Sequence, residues 1–181
     1  MKITTFGASS SKNSINKTFA HFTAQQFENA TIEFLDLNDY SLPVFSVDLE
    51  NETGIPQNAK DFYFKILNSD LLVISMAEHN GSYSAAFKNL LDWISRYEGK
   101  VFANKKMFLL ATSPGGRGGE SVLEAALSRF PRHAAEIVEH FSLPNFEANF
   151  DPEKGILDES LRSSYLAKVE SVQSQMINYL S

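Results

Sequence analysis

Small hydroxyl and amide side chains are concentrated near the N-terminus, in the stretch GASSSKNSIN at residues 7–16. The stretch lies between an apolar run and apolar residues at helical spacing, which predicts a turn joining a strand to a helix. The first N–H groups of a helix lack partners within the helix and, together with the helix dipole, favour an anion. Lys12 would add charge, and further donors are available from Ser9, Ser11, Ser14 and Asn16. This composition indicates a phosphate site, or else only a turn with helix-capping residues.

Several other chemistries are not supported by the motifs. The dinucleotide pattern G-x-G-x-x-G and the P-loop pattern G-x-x-x-x-G-K-[ST] do not occur in the first turn. The nucleophile elbow G-x-S-x-G is absent, which disfavours a serine hydrolase. The chain has no cysteine, and the spacing of its four histidines matches no H-E-x-x-H pattern, so we expect no metal site.

The second candidate segment is AEHNGSYS at residues 77–84. Gly81 permits a tight turn and a close backbone approach to a ligand. Backbone amides from Asn80 onward are placed to bind the edge of a flat heteroaromatic ring, and His79 and Tyr83 to flank its faces. Glu78 and His79 taken alone are equally compatible with ordinary surface or hydrogen-bonding roles.

The third candidate segment is TSPGGRGG at residues 112–119, with four glycines in five positions. Such a loop lets another molecule lie against the backbone, and its N–H groups can form an anion-stabilising nest. A reduced flavin carries negative charge that these donors would stabilise. Arg117 would serve the same charge or reach the phosphate of a nicotinamide cofactor. The alternatives are a mobile surface loop and a solvated arginine.

Strands and helices alternate along the chain and connect these segments. The pattern predicts strands at residues 1–6, 31–37, 70–76, 106–112 and 136–143, and helices that include residues 15–29, 57–68, 87–94, 123–130 and 161–176. Residues 38–56 form a long crossover rich in turn formers. This alternation predicts an α/β fold with a five-stranded parallel sheet and helices on both faces. The strand order 2-1-3-4-5 brings the loops after strands 1, 3 and 4 together, where such sheets bind ligands.

Composition limits the class of protein. A chain of 181 residues favours one domain, residues 1–181, and 43% hydrophobic with 21% charged residues is typical of a globular protein. The net charge of −6 argues against nucleic-acid binding. Neither a signal-peptide core nor an apolar run of membrane-spanning length is evident, so we expect a cytoplasmic location and no membrane partner.

The three segments together resemble the NADPH-dependent FMN reductase family of flavodoxin-like proteins, which includes quinone, azo-dye and chromate reductases. The family's first loop reads approximately G-S-x-R-x-x-S-x-N, and Ser9, Ser14 and Asn16 match its serines and asparagine. The family's loop after the third strand reads P-E-Y-N-G-S and is followed by K-N-x-x-D-W. AEHNGS in the second candidate segment and KNLLDW after it match this pattern. SPGGRGG matches the loop on the other side of the ring, and the similarity extends over essentially the whole chain.

The resemblance implies a flavodoxin-like three-layer sandwich that binds FMN and takes electrons from NADPH or NADH. The acceptor would be a small molecule: a quinone, an azo compound, a metal oxyanion or a flavin. The flavin would carry the chemistry, so no catalytic side chain is predicted. A homodimer or homotetramer is also implied. The implied FMN-binding residues are Ser9, Ser11, Ser14, Ile15, Asn16, Glu78, His79, Asn80, Gly81, Ser82, Ser113, Pro114, Gly115 and Gly116, with Tyr83 and Arg117 as substrate or NAD(P)H contacts.

The chain departs from the family pattern in the first and second candidate segments. Ser11 replaces the arginine of the phosphate loop, Ala77 replaces a proline, and His79 replaces a tyrosine. These differences leave the choice of acceptor and of NADH or NADPH open. Two alternative functions also remain, a flavodoxin-like electron carrier that does not oxidise NAD(P)H and an interaction module that binds no flavin.

Overall fold

The computed structural model describes residues 1–180 and is built around a parallel sheet of five strands. In chain order the strands are β1 (Lys2–Ala8), β2 (Thr31–Phe34), β3 (Leu71–Met76), β4 (Glu78–His79), β5 (Ser82–Tyr83), β6 (Lys106–Thr112), β7 (Glu136–Leu143), β8 (Phe150–Asp151) and β9 (Gly155–Ile156). The large sheet has the order β2-β1-β3-β6-β7 with all pairs parallel. The predicted order 2-1-3-4-5 is therefore confirmed, and the two remaining strand pairs are short antiparallel hairpins.

Helices cover both faces of this sheet. They are α1 (Ile15–Ala24), α2 (Val47–Thr53), α3 (Gln57–Leu67), α4 (Ala85–Tyr97), α5 (Glu120–Arg129), α6 (Phe146–Asn149) and α7 (Glu159–Leu180). One buried cluster joins the sheet to α3, α4 and α5, and the other joins it to α1 and α7. The predicted three-layer sandwich is therefore confirmed. Within residues 1–180 no helix combines the length and hydropathy needed to cross a membrane.

The central strands are buried on both sides, which explains their nearly continuous apolar sequences. Every residue of β3 is buried, as are six of the seven residues of β6. Alternate side chains of a strand point to opposite faces, so Leu72 and Ile74 join the first cluster and Leu71 and Val73 the second. This sheet fixes the positions of the loops at its carboxyl edge.

Several of the predicted strand and helix boundaries were wrong. β1 continues to Ala8 rather than stopping at residue 6. The helix predicted to reach residue 29 ends at Ala24, because the chain must turn back into β2 and does so with Asn29 in a left-handed conformation (φ 58°). β2 ends at Phe34 rather than at residue 37. Asp36 then accepts a hydrogen bond from the Asn38 N–H (2.9 Å) and starts a 3₁₀ turn.

The long crossover is more regular than predicted, because it contains α2. Ser46 caps this helix by accepting a hydrogen bond from the Leu49 N–H (3.1 Å), and the helix ends at Thr53 with Gly54 as its C-cap. The crossover is fastened to α4 through Pro43, whose carbonyl accepts hydrogen bonds from the Trp93 indole (2.7 Å) and the Asn89 amide (3.0 Å). It therefore has a fixed course beside the carboxyl edge of the sheet.

Candidate functional site

The first loop connects β1 to α1 and has the features expected of an anion site. Ser14 is the N-cap of α1, and its hydroxyl oxygen accepts a hydrogen bond from the Lys17 N–H (3.2 Å). The hydroxyl hydrogen of Ser14 is therefore free to donate to a ligand. The N–H groups of Ile15 and Asn16 lie in the first turn of the helix, where no intrahelical acceptor exists. Three donors are thus available at the start of α1.

Gly7 allows this turn to lie against the sheet. A Cβ atom at this position would lie 2.3 Å from the Lys17 nitrogen and 2.8 Å from the Asn16 carbonyl carbon. Only glycine permits so close an approach of β1 to the backbone of α1. The structure thus gives a steric reason for a glycine at this position.

The Asn16 side chain connects the first loop to the start of the glycine-rich loop. Its Nδ2 donates to the Thr112 carbonyl (3.1 Å), and its Oδ1 accepts from the Thr112 N–H (3.1 Å). The same Oδ1 also accepts from the Ser75 hydroxyl (2.7 Å). All three residues are buried. A contact between α1, β3 and β6 therefore occupies most of the amide's hydrogen-bonding capacity.

The segment predicted as a loop at residues 77–84 is a hairpin of β4 and β5. Its turn residues Asn80 (φ 52°) and Gly81 (φ 74°) both have positive φ, as a two-residue hairpin turn requires. The Asn-Gly pair was a signal for this turn in the sequence. Ser84 then caps α4 through the Phe87 N–H (3.2 Å) and donates to the Ala8 carbonyl (2.7 Å), which fastens the hairpin to the end of β1.

Tyr83 does not face the cavity as predicted. Its ring stacks on Phe130 (centroids 6.0 Å apart) and meets the edge of Phe87 (5.9 Å). Burial raises the pKa of Tyr83, opposed by the charge of Arg129. Its hydroxyl is buried without a hydrogen-bond partner among the described residues. Phe130 is distant from Tyr83 in sequence, so this packing left no local signal. The contact of Tyr83 with substrate or NAD(P)H stays a prediction.

Glu78 links the hairpin to the helix that follows the glycine-rich loop. Its Oε2 accepts a hydrogen bond from the Val122 N–H (3.1 Å) in the first turn of α5. The N-cap residue of α5 is Gly119, which has no side chain to cap the helix. A carboxylate at a helix N-terminus is also favoured by the helix dipole. One carboxylate oxygen of Glu78 therefore caps α5 from a different loop.

The glycine-rich loop is anchored to the end of β7 and to the segment that follows it. The Ser142 hydroxyl donates to the Gly118 carbonyl (3.0 Å). Backbone N–H groups of Asn145 and Phe146 donate to the carbonyls of Gly115 (3.0 Å) and Ser113 (3.1 Å). These contacts give the loop a defined position, which counts against the alternative of a mobile surface loop.

The three loops line an open cavity of about 230 Å³. Of the predicted site residues, those that line it are Ser9, Ser11, Ser14, Ile15, Asn16, Glu78, His79, Ser113 and Pro114. Those that do not are Asn80, Gly81, Ser82, Tyr83, Gly115, Gly116 and Arg117. A cavity below about 300 Å³ is smaller than most sites that enclose a whole small ligand. It has room for a phosphate group and part of an attached chain.

Three lining residues were absent from the predicted set: Asn13, Ala77 and Thr112. The supporting residue Ser75 was also missed. Both Ser75 and Thr112 are polar residues near the carboxyl ends of otherwise apolar strands, and both are buried. A polar side chain at the end of a central strand was therefore the available signal.

The charged side chains around the cavity are mostly paired or exposed. The Lys17 ammonium lies 2.7 Å from Asp36 in a partly buried ion pair. Burial alone would raise the pKa of Asp36, but hydrogen bonds from Lys17 and Asn38 outweigh it and hold that pKa below its usual value. Lys12 is exposed, and Arg117 is largely exposed and donates to the Ser121 hydroxyl (3.0 Å). The donors that the cavity offers to an anion are therefore mainly neutral.

Comparison with solved structures agrees with this architecture. The fold matches the flavoenzyme NAD(P)H:(acceptor) oxidoreductase FerB of Paracoccus denitrificans with a TM-score of 0.71 over 96% of this chain and 97% of that one, at 21% identity. At this identity the match concerns the fold, and it confirms the flavodoxin-like expectation.

Curated relatives are similar in sequence over parts of the chain. An NADPH:quinone oxidoreductase of Arabidopsis thaliana is 35% identical over 99 residues, which are 55% of this chain and 49% of that protein. An NADPH azoreductase of Bacillus sp. (strain OY1-2) is 28% identical over 87% of this chain and 77% of its own length. The chain thus spans about half the length of the Arabidopsis relative.

A comparison with family sequence models matches residues 1–148 to the description "NADPH-dependent FMN reductase". The match includes all three loops and both sets of residues that tie them together, Asn16 with Thr112 and Glu78 with Val122. The resemblance inferred from the loop motifs is confirmed: the chain belongs to the NADPH-dependent FMN reductase family.

Proposed function

We propose that this chain is an FMN-dependent oxidoreductase that passes electrons from NADPH or NADH to a quinone, an azo compound, a metal oxyanion or a flavin. Family membership implies FMN as the cofactor and a reduced nicotinamide as the electron donor. The observation that carries the proposal is the meeting of three strand-end loops at one cavity lined by the cap and first turn of α1.

The phosphate of FMN fits the donors of the first loop. The Ser14 hydroxyl and the N–H groups of Ile15 and Asn16 converge there, and Ser9 and Ser11 line the same cavity. Charge-assisted hydrogen bonds of this kind are stronger than neutral ones, and backbone donors at a helix start need no side-chain cation. The substitution of Ser11 for the family's arginine is therefore compatible with phosphate binding.

The flavin ring would be held by residues at the edge of this cavity. Glu78, His79, Ser113 and Pro114 line it, and the exposed turn Asn80–Gly81 lies beyond them. The chemistry that bound FMN supplies is hydride acceptance from the nicotinamide followed by electron transfer to the acceptor. The protein's part is to bind, orient and partly desolvate the ring, which requires no side-chain acid or base at the first step.

We further propose that the chain works in the cytoplasm as a homodimer or homotetramer. The hairpin residues 79–82, which are predicted to contact the flavin ring, are exposed, and a second subunit would cover them. Val44 and Val47 on the crossover are 83% and 57% exposed, large values for valines on a segment fastened to α4. Light scattering on the purified protein tests the assembly, and a stable monomer with full activity would contradict it.

The visible spectrum of the purified protein is the first test of the function. We expect a flavin spectrum, or uptake of added FMN, followed by bleaching with NADPH or NADH in the absence of oxygen. Steady NADPH consumption with a quinone separates the reductase from an electron carrier, which would show none. A protein that binds no FMN would refute the proposal.

Two variants of Ser14 test the phosphate site. Ser14→Ala removes a donor and the helix cap, so we expect FMN affinity to fall roughly 10- to 100-fold, since a hydrogen bond to a charged group contributes about 1.5–3 kcal/mol. Ser14→Asp keeps the cap but places a carboxylate beside the phosphate. It should keep the thermal stability and lose more FMN affinity than Ser14→Ala does.

Ser10→Ala is the matched control, because Ser10 is an exposed serine of the same loop that lines a different cavity. Its FMN affinity should equal that of the wild type. Unchanged affinity in Ser14→Asp would show that the first loop is only a turn.

A further inference from the structure

The Asn16 side chain pairs with both backbone groups of Thr112, as the backbone of a neighbouring strand would. Its side-chain amide donates to the Thr112 carbonyl and accepts from the Thr112 N–H, both at 3.1 Å. Thr112 is the last residue of β6, and the glycine-rich loop starts at the next residue. The side chain thus contacts the backbone at the point that sets the course of this loop.

This bonding leaves the amide little capacity for a ligand. An asparagine side chain has two N–H donors and one carbonyl acceptor with two lone pairs. Both lone pairs are used, by the Thr112 N–H and the Ser75 hydroxyl, and one N–H is used by the Thr112 carbonyl. Turning the amide into the cavity would deprive three buried groups of these bonds, which is unfavourable.

We propose that Asn16 is a positioning residue, which holds the glycine-rich loop at a fixed distance from the phosphate loop. The inference rests on the FMN site proposed above. In this role the Asn16 side chain is not a phosphate ligand, although its backbone N–H remains a donor in the first turn of α1. The side chain acts through Thr112 on the residues that face the ring, Ser113 and Pro114.

A positioning role and a ligand role predict different effects on two flavins. FMN and riboflavin share the ring, but riboflavin lacks the phosphate. If Asn16 positions the loop beside the ring, Asn16→Ala weakens both flavins by a similar factor. If the Asn16 side chain binds phosphate, the substitution weakens FMN and leaves riboflavin unchanged.

The experiment titrates both flavins into the apoprotein of the wild type, Asn16→Ala and Ser14→Ala. We expect Asn16→Ala to lower the affinity for both flavins about tenfold. The two decreases should agree to within threefold. Ser14→Ala should weaken FMN selectively and provides the pattern of a phosphate ligand. Selective loss of FMN in Asn16→Ala, or no loss of either flavin, would overturn the proposal.

Amide hydrogen exchange of the apoprotein gives a readout that needs no flavin. Asn16→Ala should speed exchange at residues 112–119 several-fold, because the Thr112 N–H loses an acceptor and the loop its anchor. Ser14→Ala should leave exchange there unchanged. Equal exchange rates in Asn16→Ala and the wild type would overturn the positioning role. This test does not depend on flavin binding, whereas a failure to bind flavin would refute the proposed function.

Asn16→Ser serves the same comparison if Asn16→Ala does not fold. Serine is tolerated in the first turn of a helix, but its hydroxyl ends one bond short of the amide atoms and cannot span both groups of Thr112. The same two outcomes, parallel or selective flavin loss, then decide the matter.

Discussion

Gly7→Ala tests the packing on which the phosphate loop depends. The added Cβ atom would lie 2.3 Å from the Lys17 nitrogen, 2.6 Å from the Lys17 Cα and 2.8 Å from the Asn16 carbonyl carbon. Nonbonded carbon contacts are most favourable at about 3.5–4.0 Å, so the first turn of α1 must move by roughly 1 Å. All three atoms belong to the backbone, and no side-chain rotation can relieve the overlap.

The expected cost follows from this overlap. Overpacking of a close-packed interior typically costs about 1–3 kcal/mol. For a chain of this length each kcal/mol lowers the melting temperature by about 2–4 °C, so we expect a decrease of roughly 2–12 °C. FMN affinity should fall as well, because the displaced turn carries the N–H donors of Ile15 and Asn16.

Gly99→Ala is the matched control. A Cβ atom at Gly99 would meet no atom within 4 Å, and the residue has no positive φ that would strain alanine. Its melting temperature should stay level or rise slightly, since a compatible Gly→Ala change stabilises by about 0.4–1 kcal/mol. Thermal unfolding and flavin titration are measured on both variants. If Gly7→Ala behaved like Gly99→Ala, the close approach of β1 to α1 would not matter for the site.

Three further predictions concern the surroundings of the cavity. Glu78→Ala removes the cap on α5 at the Val122 N–H and should lower the free energy of unfolding by about 1 kcal/mol, measured with urea. Glu78→Gln keeps an acceptor and should lower it less. Equal decreases in the two variants would count against capping. Burial alone would raise the pKa of Glu33, but hydrogen bonds from Lys65 and Lys2 lower it below its ordinary value of 4.5. The resulting stabilisation is present above pH 4.5 and is lost as the pH falls through the pKa of Glu33 in the folded protein. In Glu33→Gln the melting temperature should therefore decrease less at acid pH than in the wild type. The same pH profile in both proteins would contradict this role of Glu33. Tyr83→Phe removes a buried hydroxyl without a partner among the described residues and should keep the NADPH oxidation rate and stability; a loss of rate would restore this residue to the site.

The sequence predicted the sheet well because burial left a clear pattern in it. DLLVISM and KMFLLAT are nearly all apolar, and the structure buries their strands on both faces. Short elements were missed for the opposite reason. The hairpin strands have two residues each, too few to show periodicity, and only the Asn80–Gly81 pair marked the turn. In α2 no residue is buried, so its apolar spacing was weak, and its cap at Ser46 was the signal that could have located it.

The site was predictable as a set of loops but not as a set of contacts. Loop composition located the first turn of α1 and the glycine-rich segment. The bond between Asn16 and Thr112 joins residues separated by 96 positions, and that between Glu78 and Val122 joins residues separated by 44. Nothing in one sequence specifies which distant backbone group a polar side chain will reach. The family motif therefore indicates that these residues matter, and the structure shows what they touch.

Under the proposed function, these two contacts explain how an acidic chain would hold an anionic ligand. The net charge is −6, and the ammonium group of Lys17, in the first turn of α1, is paired with Asp36. Neutral donors bind an anion well only when several of them converge on one point, because each contributes little alone. Convergence requires that the loops keep fixed positions, which Asn16 and Glu78 provide through bonds to the neighbouring loop. Affinity in this site thus depends on geometry more than on charge, and the residues that position the donors matter as much as Ser14, which is itself a donor.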